Sequence, residues 1–144
     1  VNLIYHFINA RNTQVIPAGT VLFHEGDPAG PMYVLLSGAL RITVEGQVVE
    51  LASAGALVGE IALIDERPRS ASVVAVVKSR VVPVGKKEFD LLVRERPQFA
   101  RHVMKIMADR LRRMNAAYTG LSSAQRDAAA LLRRAARLDD TVPI

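Results

Sequence analysis

Residues able to do chemistry are concentrated in one stretch, Val58-Gly59-Glu60-Ile61-Ala62-Leu63-Ile64-Asp65-Glu66-Arg67-Pro68-Arg69-Ser70-Ala71-Ser72-Val73-Val74-Ala75. A glycine and a carboxylate precede one short apolar turn. A charged loop with proline follows, then Arg-Ser, then an apolar run. Gly59 has no Cβ and lets another group approach the backbone closely. Residues 60–64 suffice for a single helical turn, whose leading N–H groups, those of Ile61 and Ala62, have no intrahelical acceptor and can hold an anion. Arg69 brings a planar cationic fork to the same anion. Ser70 adds a hydroxyl and an N–H, and Glu60 can accept a hydrogen bond from a neighbouring hydroxyl. Phosphate donors beside a hydroxyl acceptor describe a pocket for a ribose phosphate.

The surrounding chain must hold these groups in place. Residues 2–10 read as a short apolar helix. From Thr13 onward, runs of β-formers at 14–16, 21–24, 32–36, 39–44 and 47–52 alternate with turns at Pro17-Ala18-Gly19, Gly26-Asp27-Pro28, Ser37-Gly38 and Glu45-Gly46. Residues 70–77 and 80–84 read as two more strands. Short strands at this spacing indicate an all-β roll or barrel. Glu45-Gly46 between two β runs is a hairpin signal. On this reading Ile42, Val49 and Leu51 line the roll interior, where apolar walls suit a purine face.

From Lys86 the period becomes helical: a short helix at 86–94, a break at Arg96-Pro97, and a long helix at about 98–118. Ala100, Met104, Met107, Leu111, Met114, Tyr118 and Leu121 are spaced alternately by four and three, a heptad seam of about three heptads. Such a stripe either docks on the roll or forms a dimer seam, and the length of the helix favours the dimer. Gly120 stops it. Ser122-Ser123-Ala124-Gln125 resembles a capping box opening a further helix to about Arg137.

The stretch of residues 58–75 resembles the phosphate-binding cassette of cyclic nucleotide-binding domains, through Gly-Glu, a short apolar turn and Pro-Arg-Ser-Ala before a β run. The likeness continues upstream through Gly26-Asp27-Pro28-Ala29-Gly30-Pro31-Met32-Tyr33-Val34-Leu35-Leu36-Ser37-Gly38 and covers roughly residues 12–119. It implies a double-stranded β-helix, a jelly-roll-like β-roll at about 12–85, with a short N-terminal helix and C-terminal helices at 86–119, and residues 120–144 as a helical extension. It further implies a regulatory sensor that binds cyclic AMP in preference to cyclic GMP and relays occupancy to its helices. In that role Arg69 and Ser70 hold the phosphate, Glu60 accepts the ribose 2′-OH, the N–H groups of Ile61 and Ala62 complete the anion nest, and Gly59 admits the ribose. Arg110 and Asn115, on the long helix, are the candidates to reach the base. Catabolite-activator-type regulators carry small hydroxyl residues near Met114-Asn115, and this chain does not. In those regulators the long helix dimerises, and residues 123–137 look like the first helix of their winged DNA-binding domain. A sensor for such a regulator, contacting DNA only as part of a longer chain, is the companion reading. An effector domain of a channel or kinase, or a roll that mediates contacts alone, is the rival.

At 144 residues, half of them apolar, the chain has enough length for one core. It starts at Val1 and stops at Ile144 before any recognition helix, which suggests a piece of a longer protein. No apolar run approaches the ~20 residues of a membrane helix. Cysteine is absent, which excludes disulfides and thiol catalysis and fits a reducing, cytoplasmic setting. His6, His24 and His102 lie in separate elements without metal-ligand spacing. No Gly-x-Ser-x-Gly elbow, Walker pattern or Rossmann fingerprint occurs. The expectation is therefore a non-enzyme without cofactor or metal, whose ligand is the nucleotide. Net charge is +5, unevenly spread: residues 1–85 hold six Lys/Arg against seven Asp/Glu, residues 86–144 thirteen against seven. The excess marks solvated helix faces or contact with an anionic partner.

Overall fold

The structure is a computed structural model describing residues 6, 7, 9–120 and 123–141. The strands are β1 (Gln14–Ile16), β2 (Val21–Phe23), β3 (Met32–Ser37), β4 (Leu40–Val44), β5 (Gln47–Ala52), β6 (Leu57–Val58), β7 (Ser72–Ala75) and β8 (Ser79–Val84). A helical turn α1 (Glu60–Asp65) separates β6 from β7, and α2 (Lys86–Glu95), α3 (Pro97–Thr119) and α4 (Ser123–Thr141) follow β8. The chain divides into two compact units, residues 1–106 and 107–144.

One long hairpin explains the roll. β4 pairs with β5, β3 with β6, β2 with β7 and β1 with β8, all antiparallel. Wound up, this ladder gives two four-stranded sheets of order β1-β8-β3-β6 and β2-β7-β4-β5. The result is the expected double-stranded β-helix with helices after it. Glu45-Gly46 closes the central hairpin with φ of 49° and 78°. Two successive positive φ values match the right-handed twist of the flanking strands. Leu35, Leu40, Ile42, Val73, Ala75 and Val81 fill the space between the sheets.

The interior differs from expectation at two positions. Ile42 is buried in the core, but Leu51 is 68% exposed and Val49 58% exposed. Leu51 pairs with the exposed Arg41, so it shares the outward face. The register steps from Ile42↔Glu50 to Thr43↔Val48, a bulge that leaves Val49 without a partner across the ladder. Ala52, opposite Leu40, takes the buried place instead. The two-residue β6 was also not foreseen, and the expected helix at 2–10 falls mostly outside the described residues.

α2 ends where Arg96 precedes Pro97; Arg96 adopts φ −131°, ψ 83°, as a residue before proline must to avoid its ring. α3 buries Phe99 and Val103, and Phe99 meets Phe7 and Phe89 edge-on. The heptad seam uses other residues of α3. Met104, Leu111 and Met114 are 62, 58 and 64% exposed, and Tyr118 is 39% exposed; Leu121 lies outside the described residues. Within the second unit Arg133 donates to the Tyr118 hydroxyl, and Arg126 Nη1 donates to Thr119 O at 3.1 Å, which ties α4 to the end of α3. Among the described residues no helix is long and apolar enough to cross a membrane.

Candidate functional site

The loop after β2 and the loop before β7 are latched by their backbones. Gly26 N donates to Arg69 O at 2.9 Å and Arg69 N donates to Asp27 O at 2.8 Å. Asp27 turns back to accept from His24 N, and Ser72 Oγ accepts from Glu25 N. Arg69 therefore has a fixed backbone, and its side chain runs inward to 5% exposure. Nη2 donates to Pro31 O at 2.8 Å and Nη1 to Gly59 O at 3.4 Å. The guanidinium carbon lies 4.0 Å from the centre of the Phe23 ring. Nε is buried and, among the described residues, has no hydrogen-bond partner. Burial pulls the Arg69 pKa below its ordinary value, while Tyr33 and Asp27 oppose that shift. Arginine nonetheless keeps its proton in proteins. A buried cation with an unsatisfied donor costs the fold about 1–3 kcal/mol until that donor is met.

Two glycines make room for the fork. Gly59 has φ 80°, a left-handed conformation that other residues adopt only under strain. A Cβ there would lie 2.6 Å from Arg69 Nη1 and 3.3 Å from Pro31 O; a Cβ on Gly30 would lie 2.8 Å from Nη2. Gly59 also caps α1, so Glu60 begins that helix. Glu60 is 2% exposed, and its negative charge suits a helix start. Glu60 and Arg69, nine residues apart in sequence, thus both anchor on Gly59, one as its chain neighbour and one through its carbonyl.

The other candidates are spread more widely. Ala62 is buried on α1, Ile61 is 43% exposed and Ser70 is exposed. Arg110 is half-buried and Asn115 exposed, both in the second unit. An open groove lined by Ala29, Gly30, Pro31, Ala62, Leu63, Glu66 and Lys86 shares Gly30 and Pro31 with the surroundings of Arg69. At its edge Lys86 Nζ, the first residue of α2, donates to the Glu66 carboxylate just past α1. That hydrogen bond, with the charge behind it, raises the Lys86 pKa. Sequence reasoning missed Phe23 and Pro31. Phe23 reads as an ordinary inward strand residue, and a backbone carbonyl such as that of Pro31 leaves no side-chain signal.

Comparison with known proteins bears on the family and the fold. The family model described as cyclic nucleotide-binding domain matches residues 13–96. A cAMP-dependent protein kinase regulatory subunit of Pyricularia oryzae is 39% identical over 87 residues, 59% of this chain and 22% of that protein. The crystal structure of the Thermus thermophilus catabolite activator protein superposes with a TM-score of 0.64 at 31% identity, covering 72% of this chain and 51% of that one. An EAL enzyme in its cGMP-bound form superposes at 0.54 with 28% identity, covering 73% and 29%. The chain thus spans about a fifth to a half of the length of these proteins. A wound hairpin whose cassette buries an arginine and a glutamate around one glycine, together with a family match over more than half of its length, places this chain in the cyclic nucleotide-binding domain family.

Proposed function

We propose that this domain binds cyclic AMP in preference to cyclic GMP and passes occupancy to the helices after Lys86. One observation carries the reading: Arg69 is buried at the carbonyl of the glycine that starts α1, and its Nε has no partner among the described residues. A cyclic phosphodiester supplies the missing acceptor and the opposite charge. Ser70 and the N–H groups of Ile61 and Ala62 supply further donors to it, and Glu60 accepts the ribose 2′-OH. Ile42 belongs to the core and Val49 and Leu51 face outward, which leaves Arg110 as the candidate for the base. The kinase regulatory subunit among the relatives is named for cyclic AMP, which supports that preference, whereas one structural relative holds cGMP. The Lys86–Glu66 pair links the end of α1 to the start of α2 and offers a route for a relay.

The exposed seam of Met104, Leu111, Met114 and Tyr118 pairs two copies through α3. A module of residues 1–119 then carries 120–144 as its output extension. The excess of basic residues after Lys86 favours the sensor of a transcription regulator over a channel or kinase module, with DNA contacted only within a longer chain. Calorimetric titration of the parent and of Arg69→Ala with cyclic AMP and cyclic GMP tests the ligand. Saturable heat with cyclic AMP, weaker with cyclic GMP and lost in the variant, is the expected result. Equal heats in parent and variant would refute it.

A further inference from the structure

The enclosure of the Arg69 fork sets more than its charge. Its two terminal nitrogens already donate to Pro31 O and Gly59 O, at 2.8 and 3.4 Å. Its plane rests against the Phe23 ring, with the central carbon 4.0 Å from the ring centre. The Phe23 ring is itself held: it is 8% exposed and stacks on Tyr33, 6.2 Å away at 25°. On the far sides Gly30 and Gly59 approach so closely that a Cβ on either would collide with a terminal nitrogen, at 2.8 and 2.6 Å. Ring, carbonyls and glycine backbones thus restrain the guanidinium from several sides. Among the described residues Nε has no hydrogen-bond partner.

We infer that Phe23 is a positioning residue that orients Arg69, so that the arginine presents its Nε edge to one of the two exocyclic oxygens of a cyclic phosphodiester. The inference rests on the ligand reading above. A cation–π contact is strongest when desolvated, as here, and also restrains the guanidinium plane. An arginine without the ring keeps its charge but can turn the fork toward either oxygen. Phe23 therefore contributes selectivity between the two oxygens in addition to affinity.

The test uses the two diastereomeric phosphorothioate analogues of cyclic AMP, in which sulfur replaces one exocyclic oxygen or the other. Dissociation constants are measured by calorimetry for the parent, Phe23→Leu, Phe23→Tyr and Gly30→Ala. The parent should separate the diastereomers by at least about tenfold, since sulfur is a poor acceptor at the oxygen that Nε meets. Phe23→Leu keeps apolar bulk without the ring face and should shrink that ratio by at least about threefold, the size of an exposed cation–π contact. Phe23→Tyr retains the ring and should keep the ratio. Gly30→Ala pushes on Nη2 without entering the core, and it should shrink the ratio even if Phe23→Leu fails to fold. A merely structural Phe23 would weaken both diastereomers alike. An unchanged ratio in Phe23→Leu or, where that variant does not fold, in Gly30→Ala overturns the positioning role while leaving the ligand reading intact. A parent that binds neither cyclic AMP nor its analogues overturns both.

Discussion

In the roll, a guanidinium and a carboxylate sit at 5 and 2% exposure, whereas on the helices Leu111, Met114, Leu131 and Leu132 stand 58–73% exposed. Charge is buried in the first region and apolar surface is uncovered in the second. Each arrangement costs free energy in the isolated chain, and each cost falls when a group of matching chemistry arrives: an anion for Arg69, an apolar face for α3. The two regions also differ in how they are held. The roll pins Arg69 from several directions by backbone hydrogen bonds and a ring, while α3 and α4 meet through Arg133–Tyr118 and Arg126–Thr119. A rigid pocket suits recognition of a small fixed ion, and an amphipathic helix suits a second copy of itself.

The largest effect should come from breaking the apolar side alone. Leu111→Glu with Met114→Glu places two carboxylates where a partner helix would bury about 1.5–3 kcal/mol per side chain. The dimer dissociation constant should rise by at least about a hundredfold, read by sedimentation velocity. Affinity for the nucleotide at the roll should stay within about threefold, since these side chains are not in the cassette. A parent that sediments as a monomer at all concentrations would remove the seam from the account.

Breaking the charged side alone comes next. Arg69→Ala should weaken binding by at least about thirtyfold, roughly 2 kcal/mol, because a charge-assisted contact is lost. The free protein should lose little thermal stability, since a buried, incompletely satisfied cation leaves with the side chain. Dimerisation should be unaffected. An affinity loss accompanied by a collapse of the thermal midpoint would mark Arg69 as a structural residue instead.

Gly59→Ala strikes the hinge of the site with a smaller effect. The left-handed φ of 80° costs a residue with a Cβ about 1–2 kcal/mol. The new methyl also meets Arg69 Nη1, a flexible tip that can move aside. Denaturant unfolding should show that loss, with weaker nucleotide binding as the fork shifts. Unchanged stability would mean that the turn relaxes to another conformation.

The unequal legibility of these two regions has physical causes. The strands were readable because Gly, Pro and Asp punctuate short β runs, and the cassette because its residues are contiguous in sequence. The heptad stripe was readable because it is periodic. Leu57–Val58 was too short to carry a period. Leu51 and Val49 were misplaced because side-chain parity alternates every residue, and one bulge at Val49 shifts it. Strand β2 puts Phe23 beside Arg69 through a contact between residues 46 apart in sequence, which no local pattern announces. Exposure along the stripe was likewise a tertiary outcome: α3 buries Phe99 and Val103, half-buries Ala100 and Met107, and exposes Met104, Leu111 and Met114.

The smallest predicted effect concerns the histidines, and it adds a pH axis to the first region. His6 Nε2 lies 3.1 Å from His102 Nδ1, and the His6 ring packs edge-on against Phe99. One imidazole must donate and the other accept, so the bond needs at least one neutral ring. Burial, then the charge of His102 and of Arg96, lowers the His6 pKa below 6.5. The unfolded chain therefore binds more protons than the folded one between that lowered value and about 6.5. Stability is fully present above about pH 6.5 and is lost as pH falls through the window toward the folded value. The thermal midpoint should drop between about pH 7.5 and about pH 5.5, above the range where free carboxylates titrate. His102→Gln removes the partner and one opposing charge, so its midpoint should fall less steeply over the same range. Parallel pH profiles for parent and variant would show that His6 does not carry the pH dependence in this window.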